Sequence, residues 1–270
     1  MSAFGLQLPV ETTLTDLAYK AIRLNLNIFQ CFLTQKLNGS HLSFRQDDIQ
    51  LFKQLRQKHF SSLFLHASYK VNLSAVKIVH HPVLKKELEL AKRLHFTHLV
   101  LHPGSAQKYS KQDGLDALVR VLNSVLKYEN DITIVLENIA FNGKNIGGDI
   151  QDFYTILKKI NYPEKLQFCI DTAHAHAYGY DLVDNKKQDE FIQLVESFVG
   201  WNKVALIHLN DTKEGMGTHV DRHNIPGTGT IGLKALQRFR SHDCTNTIPI
   251  IVEAPVMTEQ EQQLLIKKMK

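Results

Sequence analysis

The sequence is poor in cysteine, glycine and proline, and it has no long apolar run. Its 270 residues include three scattered cysteines, Cys31, Cys169 and Cys244, which form no disulfide framework and favour a reducing compartment. With 14 glycines and 7 prolines, the composition is neither fibrous nor that of a linker. No apolar run approaches the roughly 18 residues of a membrane span, and the start of the chain lacks a signal-peptide pattern. We therefore expect a cytoplasmic protein that does not enter a membrane.

The remaining composition is that of a globular protein. Hydrophobic residues make up 43% and charged residues 22% of the chain, which argues against disorder. The net charge of +5 permits an anionic partner. Since no linker-like segment interrupts the sequence, we expect one domain over residues 1–270.

Short apolar runs alternate with segments of helical spacing. The predicted strands are 28–33, 62–66, 97–102, 132–137, 166–171, 203–209 and 248–253, with a weaker one at 3–8. The predicted helical segments are LTDLAYKAIRLN, PVLKKELELAKRL, DGLDALVRVLNSVLKY, IQDFYTILKKI, KQDEFIQLVESFV and LKALQRF. Eight such units predict an α/β fold, a single (β/α)8 TIM barrel. An open doubly wound sheet is the alternative, but it usually has a glycine-rich turn after its first strand, and none follows residues 3–8.

Six of these strands end in a residue that could bind a metal. They are His66, His102, Glu137, Asp171, His208 and Glu253. Successive members are 34 to 45 residues apart, about one strand–helix unit each. The carboxyl ends of barrel strands meet at one face, so we expect the six side chains to converge there.

Three imidazoles and three carboxylates in one place require positive charge between them, because unpaired buried carboxylates are costly. Mixed His, Asp and Glu ligands suit zinc, with manganese or iron possible. A further set lies nearby in the sequence motifs DTAH and VDRH. Its members His174, Asp221 and His223 are enough for a third metal with an open position.

Seven segments resemble, in order, the signatures of the endonuclease IV family of abasic-site DNA repair enzymes. They are HASYKVNL (66–73), LVLHPGS (99–105), LENIAFNG (136–143), CIDTAHAHAYGYD (169–181), HLND (208–211), VDRHNIPGTGTIG (220–232) and VEAP (252–255). The resemblance implies a TIM barrel with three zinc ions. It assigns His66, His102 and Glu137 to the first zinc. Glu137 would bridge to the second zinc, whose other ligands are Asp171, His208 and Glu253, and the third zinc would be held by His174, Asp221 and His223.

The same resemblance implies an activity. The protein would hydrolyse the phosphodiester 5′ to an abasic site in double-stranded DNA during base excision repair. The products would be a 3′-hydroxyl and a 5′-deoxyribose phosphate. We predict Glu137 and Glu253 as catalytic residues and a monomeric enzyme.

DNA contacts are expected from three loops. Tyr69 matches the family's aromatic residue at the loop that enters the minor groove, and Lys70 follows it where members usually have an apolar residue. Gln35 and Lys36 are the nearest equivalents of the contact residues in the loop after the second strand. Arg222 lies between two predicted ligands and is expected to meet phosphate.

Two other functions are compatible with the sequence. One is a metal-dependent sugar isomerase or epimerase of the xylose-isomerase-like barrels, which shares strand-end ligands but has no use for the set in DTAH and VDRH. The other is a non-catalytic DNA- or metal-binding relative. Loss of catalysis would be expected to remove ligands by drift, and all nine positions are filled.

Overall fold

The computed structural model describes residues 2–35, 40–77 and 81–269. The strands in this part of the chain are β1 Phe4–Leu6, β2 Ile28–Cys31, β3 Ser62–His66, β4 His98–Leu101, β5 Thr133–Glu137, β6 Leu166–Asp171, β7 Val204–His208, β8 Asp211–Thr212, β9 His223–Asn224 and β10 Ile250–Val252. Eight of them form one sheet in the order β1, β10, β7, β6, β5, β4, β3, β2, and its pairs are parallel. Strands β8 and β9 form a separate antiparallel pair.

The sheet closes between its first and last strands. The Leu8 amide donates to the Gln30 carbonyl at 2.8 Å, which joins the end of β1 to β2. Each of the eight predicted runs contains one strand of this barrel. The predicted (β/α)8 barrel is therefore confirmed over the open sheet.

Helices connect the strands. They are α1 Leu14–Arg23, α2 Gln46–His59, α3 Pro82–Arg93, α4 Lys111–Leu126, α5 Gln151–Lys159, α6 Thr172–Tyr178, α7 Asn185–Phe198, α8 Leu233–Ser241 and α9 Glu259–Met269, with 3-10 turns at Pro163–Lys165 and Trp201–Lys203. Each of the six predicted segments overlaps one helix, and three of these helices extend beyond the predicted segment. Helices α2, α6 and α9 are additional. No helix among the described residues is long and apolar enough to cross a membrane.

One apolar layer fills the barrel interior. This inner layer consists of Ile28, Phe64, Val100, Val135, Cys169, Leu206 and Ile251. Strand β1 has Gly5 at this level, where a Cβ would overlap Ile28 and the Ile251 side chain. Because side chains alternate along a strand, the next inward position lies two residues further on. On seven strands that position is at or just beyond the carboxyl end, and on six of these it holds a predicted ligand.

Candidate metal centre

The predicted ligands at strand ends are the last residues of β3, β5, β6 and β7 and the first residues after β4 and β10. Ligand atoms of His66, His102 and Glu137 lie within 4.8 Å of one another. A second group meets the same limit. Its members are Glu137, Asp171, His208 and Glu253. Glu137 belongs to both groups, so the structure places its carboxylate between them.

The Glu137 carboxylate is fully buried and faces imidazoles on both sides. Its Oε2 is 3.1 Å from His66 Nε2 and 3.3 Å from His102 Nε2. Its Oε1 is 2.8 Å from His208 Nδ1. A carboxylate with one oxygen in each group has the geometry to bridge two cations.

The remaining predicted ligands form a third group beside the first two. His174 Nε2 and His223 Nε2 are each 3.3 Å from one oxygen of Asp221. Asp171 begins α6 as its N-cap, and its Oδ1 accepts from the His174 amide at 2.9 Å. The three-residue spacing in DTAH therefore directs a strand-end carboxylate and a helical imidazole to one place.

A glycine-containing loop fixes the segment that carries Asp221 and His223. The buried Asp211 carboxylate accepts from the backbone amides of Gly227, Gly229 and Ile231 at 2.9, 3.0 and 3.1 Å. A Cβ at Gly229 would overlap this carboxylate. The glycines of this motif therefore serve to hold the loop, as close approach of backbone to a side chain requires.

The hydrogen bonds of two histidines show whether cations fit between these groups. His66 Nδ1 is 2.8 Å from the Ala67 carbonyl, and His174 Nδ1 is 2.8 Å from the Asn138 carbonyl. A carbonyl only accepts, so each Nδ1 donates and each neutral ring keeps its lone pair on Nε2. In His66 that lone pair faces Glu137 Oε2. Two acceptors in contact repel unless a proton or a metal cation lies between them, so the donor set fits a metal.

Two imidazole nitrogens support the same conclusion. Nε2 of His174 and Nε2 of His223 are buried without a hydrogen-bond partner. Buried polar atoms are nearly always paired, and a cation between these two nitrogens and the Asp221 oxygens that they face would satisfy them. The His174 ring is fixed by its Nδ1 donor bond, which is the usual support for a histidine that binds metal through its other nitrogen.

The ionisation of the site follows from mutual attraction. Burial alone would raise the pKa of Glu137, but the charges of His208 and His102 outweigh it and lower that pKa well below the usual range. Burial would lower the pKa of His174, but Asp171 and Asp221 raise it well above the usual value. Glu137 is thus held as an anion by the positive charge of its imidazole neighbours, and a bound cation would supply the same compensation.

Cys169 lies next to this centre but has different chemistry. Its ligand atom is within 4.8 Å of those of Glu137 and His208. Burial raises the pKa of the Cys169 thiol to about 12. Burial therefore favours the neutral thiol over the thiolate that a metal binds, and Cys169 packs in the inner layer.

Sequence reasoning missed three buried amides that contact the predicted ligands. Asn138 bonds both backbone groups of Asp171, and Asn210 donates to Asp171 Oδ2 at 2.6 Å and to Glu253 Oε2 at 3.2 Å. Gln30 donates to Glu253 Oε1 at 2.7 Å. Their signal was position: Asn138 and Asn210 follow strand-end ligands closely, and Gln30 lies two residues after the inner-layer residue of β2.

The predicted DNA contacts lie on the rim, with different surroundings. Tyr69 is 65% exposed, and its ring centroid lies 5.6 Å from that of His66 and 5.5 Å from that of His102. Lys70 and Gln35 are exposed. Arg222 pairs with Glu214 at 3.2 Å, which partly neutralises it. Lys36 lies outside the described residues.

The architecture has a known class. Residues 18–268 match the family of xylose isomerase-like TIM barrels. The chain is therefore a barrel of this class, which contains several kinds of enzyme.

Relatives define the family more narrowly. A protein of Thermosipho melanesiensis named probable endonuclease 4 is 30% identical over 266 residues, covering 94% of this chain and 93% of the relative. One of the same name from Staphylococcus carnosus is 30% identical over 254 residues, covering 91% and 84%. The chain belongs to the endonuclease IV family, and the predicted resemblance is confirmed.

Solved structures agree with the fold. Endonuclease IV from Thermus thermophilus superposes with a TM-score of 0.83 at 24% identity, covering 99% of this chain and 97% of that one. An L-ribulose 3-epimerase superposes with a TM-score of 0.65 at 11% identity, covering 100% and 92%. At these identities the likeness concerns the barrel alone.

Proposed function

We propose that this protein is a metal-dependent endonuclease that hydrolyses the phosphodiester 5′ to an abasic site in double-stranded DNA. It would leave a 3′-hydroxyl and a 5′-deoxyribose phosphate, as base excision repair requires. Membership of the endonuclease IV family supports the substrate class. The observation that carries the proposal is the convergence of nine His, Asp and Glu side chains at one rim, in three adjoining groups.

Three zinc ions would be held by these groups, with manganese or iron possible. His66, His102 and Glu137 would hold the first. Glu137 would be shared with the second, which Asp171, His208 and Glu253 complete. The third would be held by His174, Asp221 and His223. When bound, such ions polarise a phosphate, offset its charge and lower the pKa of water to about 7.

The chain's own groups prepare this site. His66 keeps its proton at Nδ1 on the Ala67 carbonyl, and His174 keeps its proton at Nδ1 on the Asn138 carbonyl. Both rings therefore direct Nε2 at the site, where a bound cation would take the place of any proton on that nitrogen. The shared position of Glu137 and the place of Glu253 in the second group support a catalytic role for both carboxylates.

The rim would engage the DNA. Tyr69 lies exposed over two ligand histidines, where a ring could stack against an unpaired sugar or base. Lys70 and Gln35 present exposed polar side chains from neighbouring loops. Arg222 would have to leave Glu214 to meet a phosphate, so its contribution would come at the cost of a surface ion pair.

A sugar isomerase or epimerase is the competing proposal, because such an enzyme shares the fold. The group formed by His174, Asp221 and His223 argues against it. An isomerase needs fewer metals. The group of His174, Asp221 and His223 supplies ligands in addition to the two groups that share Glu137.

The test uses the purified protein and duplex DNA with one abasic analogue. We expect incision on the 5′ side of the analogue, a 3′-hydroxyl on the upstream product, loss of cutting after chelation and recovery with zinc. The same duplex without the analogue is the control. Cutting that persists after complete metal removal, or equal cutting of the undamaged duplex, contradicts the proposal.

A further inference from the structure

Gln30 is a fully buried polar residue beside the metal centre, at the inward position that β2 offers there. Strand β2 contributes no predicted metal ligand. The Gln30 side chain instead contacts two predicted ligands that are far from it in the sequence. Gln30 Nε2 donates to Glu253 Oε1 at 2.7 Å, and Gln30 Oε1 lies 3.0 Å from His208 Nε2.

These two contacts decide the orientation of the amide and then of the imidazole. A carboxylate accepts, so the nitrogen of Gln30 must face Glu253 and its oxygen must face His208. The oxygen can only accept, so His208 Nε2 carries the proton. The lone pair of the neutral His208 ring is therefore on Nδ1.

His208 Nδ1 is the atom that faces the carboxylates. It lies 2.8 Å from Glu137 Oε1, 3.3 Å from Glu253 Oε2 and 3.8 Å from Asp171 Oδ2. Ligation through Nδ1 requires the tautomer that Gln30 selects. The same amide holds Glu253 by its other oxygen, Oε1, so one side chain orients two ligands of one group.

We propose that Gln30 is the positioning residue of the second metal group, fixing the tautomer of His208 and the rotamer of Glu253. This rests on the metal ligation in the proposed function. Partners of ligand histidines commonly contribute about 10- to 100-fold to metal affinity.

The test is zinc affinity, measured without DNA by competition with a chromophoric chelator. Gln30→Met keeps a side chain of similar length and removes both hydrogen bonds. We expect the zinc of the second group to bind about 10- to 100-fold more weakly than in the unaltered protein. Gln30→Asn, a shorter amide that cannot span both partners, should show the same loss and serves if the methionine variant does not fold.

Gln188 provides a matched control. It is a buried glutamine on α7 that donates to the carbonyls of Leu182 and Ala235 and accepts from Arg238, away from the metal centre. Gln188→Met should lower the free energy of unfolding of the metal-free protein and leave zinc affinity unchanged. The comparison separates the general effect of losing a buried amide from the effect on zinc affinity of losing a hydrogen-bond partner of two ligands.

The outcomes are distinct. Zinc affinity in a folded Gln30 variant equal to that of the unaltered protein, or reduced no more than in Gln188→Met, overturns the positioning role. A protein that binds zinc tightly and loses it in the Gln30 variants, yet does not incise abasic DNA, would instead reject the proposed activity and leave the positioning role intact.

Discussion

Two levels of the same barrel differ by two residues along each strand. The inner layer is apolar, and the candidate metal centre directly above it consists of imidazoles, carboxylates and amides. Phe64 and His66 on β3, and Val135 and Glu137 on β5, show the change. Both members of each pair point inward, since side chains alternate. The inner layer depends on the volumes of its apolar side chains, whereas the candidate centre depends on which donor and acceptor atoms face one another.

The largest expected effect comes from removing the shared carboxylate. Glu137→Ala should lose part of the bound metal and reduce the rate of incision by more than about 100-fold. Loss of a residue that only hydrogen-bonds a metal ligand typically reduces metal affinity or activity by about 10- to 100-fold, and loss of a shared ligand should cost more. Metal analysis and incision rates on abasic duplex measure both. The control is Glu129→Ala, which removes another buried carboxylate. Glu129 lies away from the centre and pairs with Lys92 at 3.0 Å, so this variant should keep the full metal content. A fully active Glu137→Ala variant would rule out the bridging role.

A substitution in the inner layer tests the opposite side of the comparison. Leu206 is fully buried on β7, two residues before His208. Leu206→Ala should reduce the free energy of unfolding by about 2 to 5 kcal/mol, because a cavity replaces its side chain. Urea unfolding measures this, and metal analysis of the folded variant should give the unaltered stoichiometry. Loss of metal at full stability would show that the two levels are not separable.

Glu87 sharpens the comparison because it is a buried carboxylate with an imidazole on one side, that of His41, whose Nε2 lies 3.6 Å from Glu87 Oε1. Its Oε1 accepts from the Ser68 amide at 3.1 Å, and its Oε2 has no hydrogen-bond partner. Burial raises the pKa of Glu87 to about 7, opposite in direction to that of Glu137. A raised folded-state pKa favours the protonated form, so its stabilising contribution is complete below about pH 4.5 and is lost as the pH rises to about 7.

Glu87→Gln should therefore stabilise the protein relative to the unaltered chain at neutral pH, by up to about 3 kcal/mol, with the difference shrinking toward pH 4.5. Urea unfolding of both proteins across this range measures the difference, in which effects of the metal centre cancel. A difference independent of pH would show that Glu87 ionises in the folded protein as it does in the unfolded one.

The smallest effect is expected on the rim. Lys70 is exposed next to Tyr69, in the loop that is expected to enter the minor groove. Lys70→Leu should tighten binding to an abasic duplex about 2- to 10-fold if insertion of an apolar side chain outweighs the lost phosphate attraction. Binding is measured at fixed salt under conditions that block incision. Lys58→Leu, an exposed lysine on α2, is the control, and unchanged or weaker binding by Lys70→Leu would reject this account.

Some elements were predictable for a clear physical reason. Buried parallel strands are continuous apolar runs, so all eight barrel strands could be located, and ligands at their ends followed from the topology. Helix α6 was not found because it is short and begins at Asp171 itself. Gln30 was not found because an amide at a strand end binds no metal, and its value appears only with its partners 178 and 223 residues away. The single domain, the monomeric state and the cytoplasmic location stay predictions.

The sequence by itself determined the barrel and the kinds of side chain at its rim, because strand periodicity and residue chemistry are local properties. Only the tertiary structure decided which nitrogen of His66, His174 and His208 is free to face the carboxylates. That choice depends on hydrogen bonds to Ala67, Asn138 and Gln30, and for His174 and His208 the partner comes from a different strand or the loop that follows it. Chemistry at this rim therefore rests on contacts that exist only once the barrel has closed.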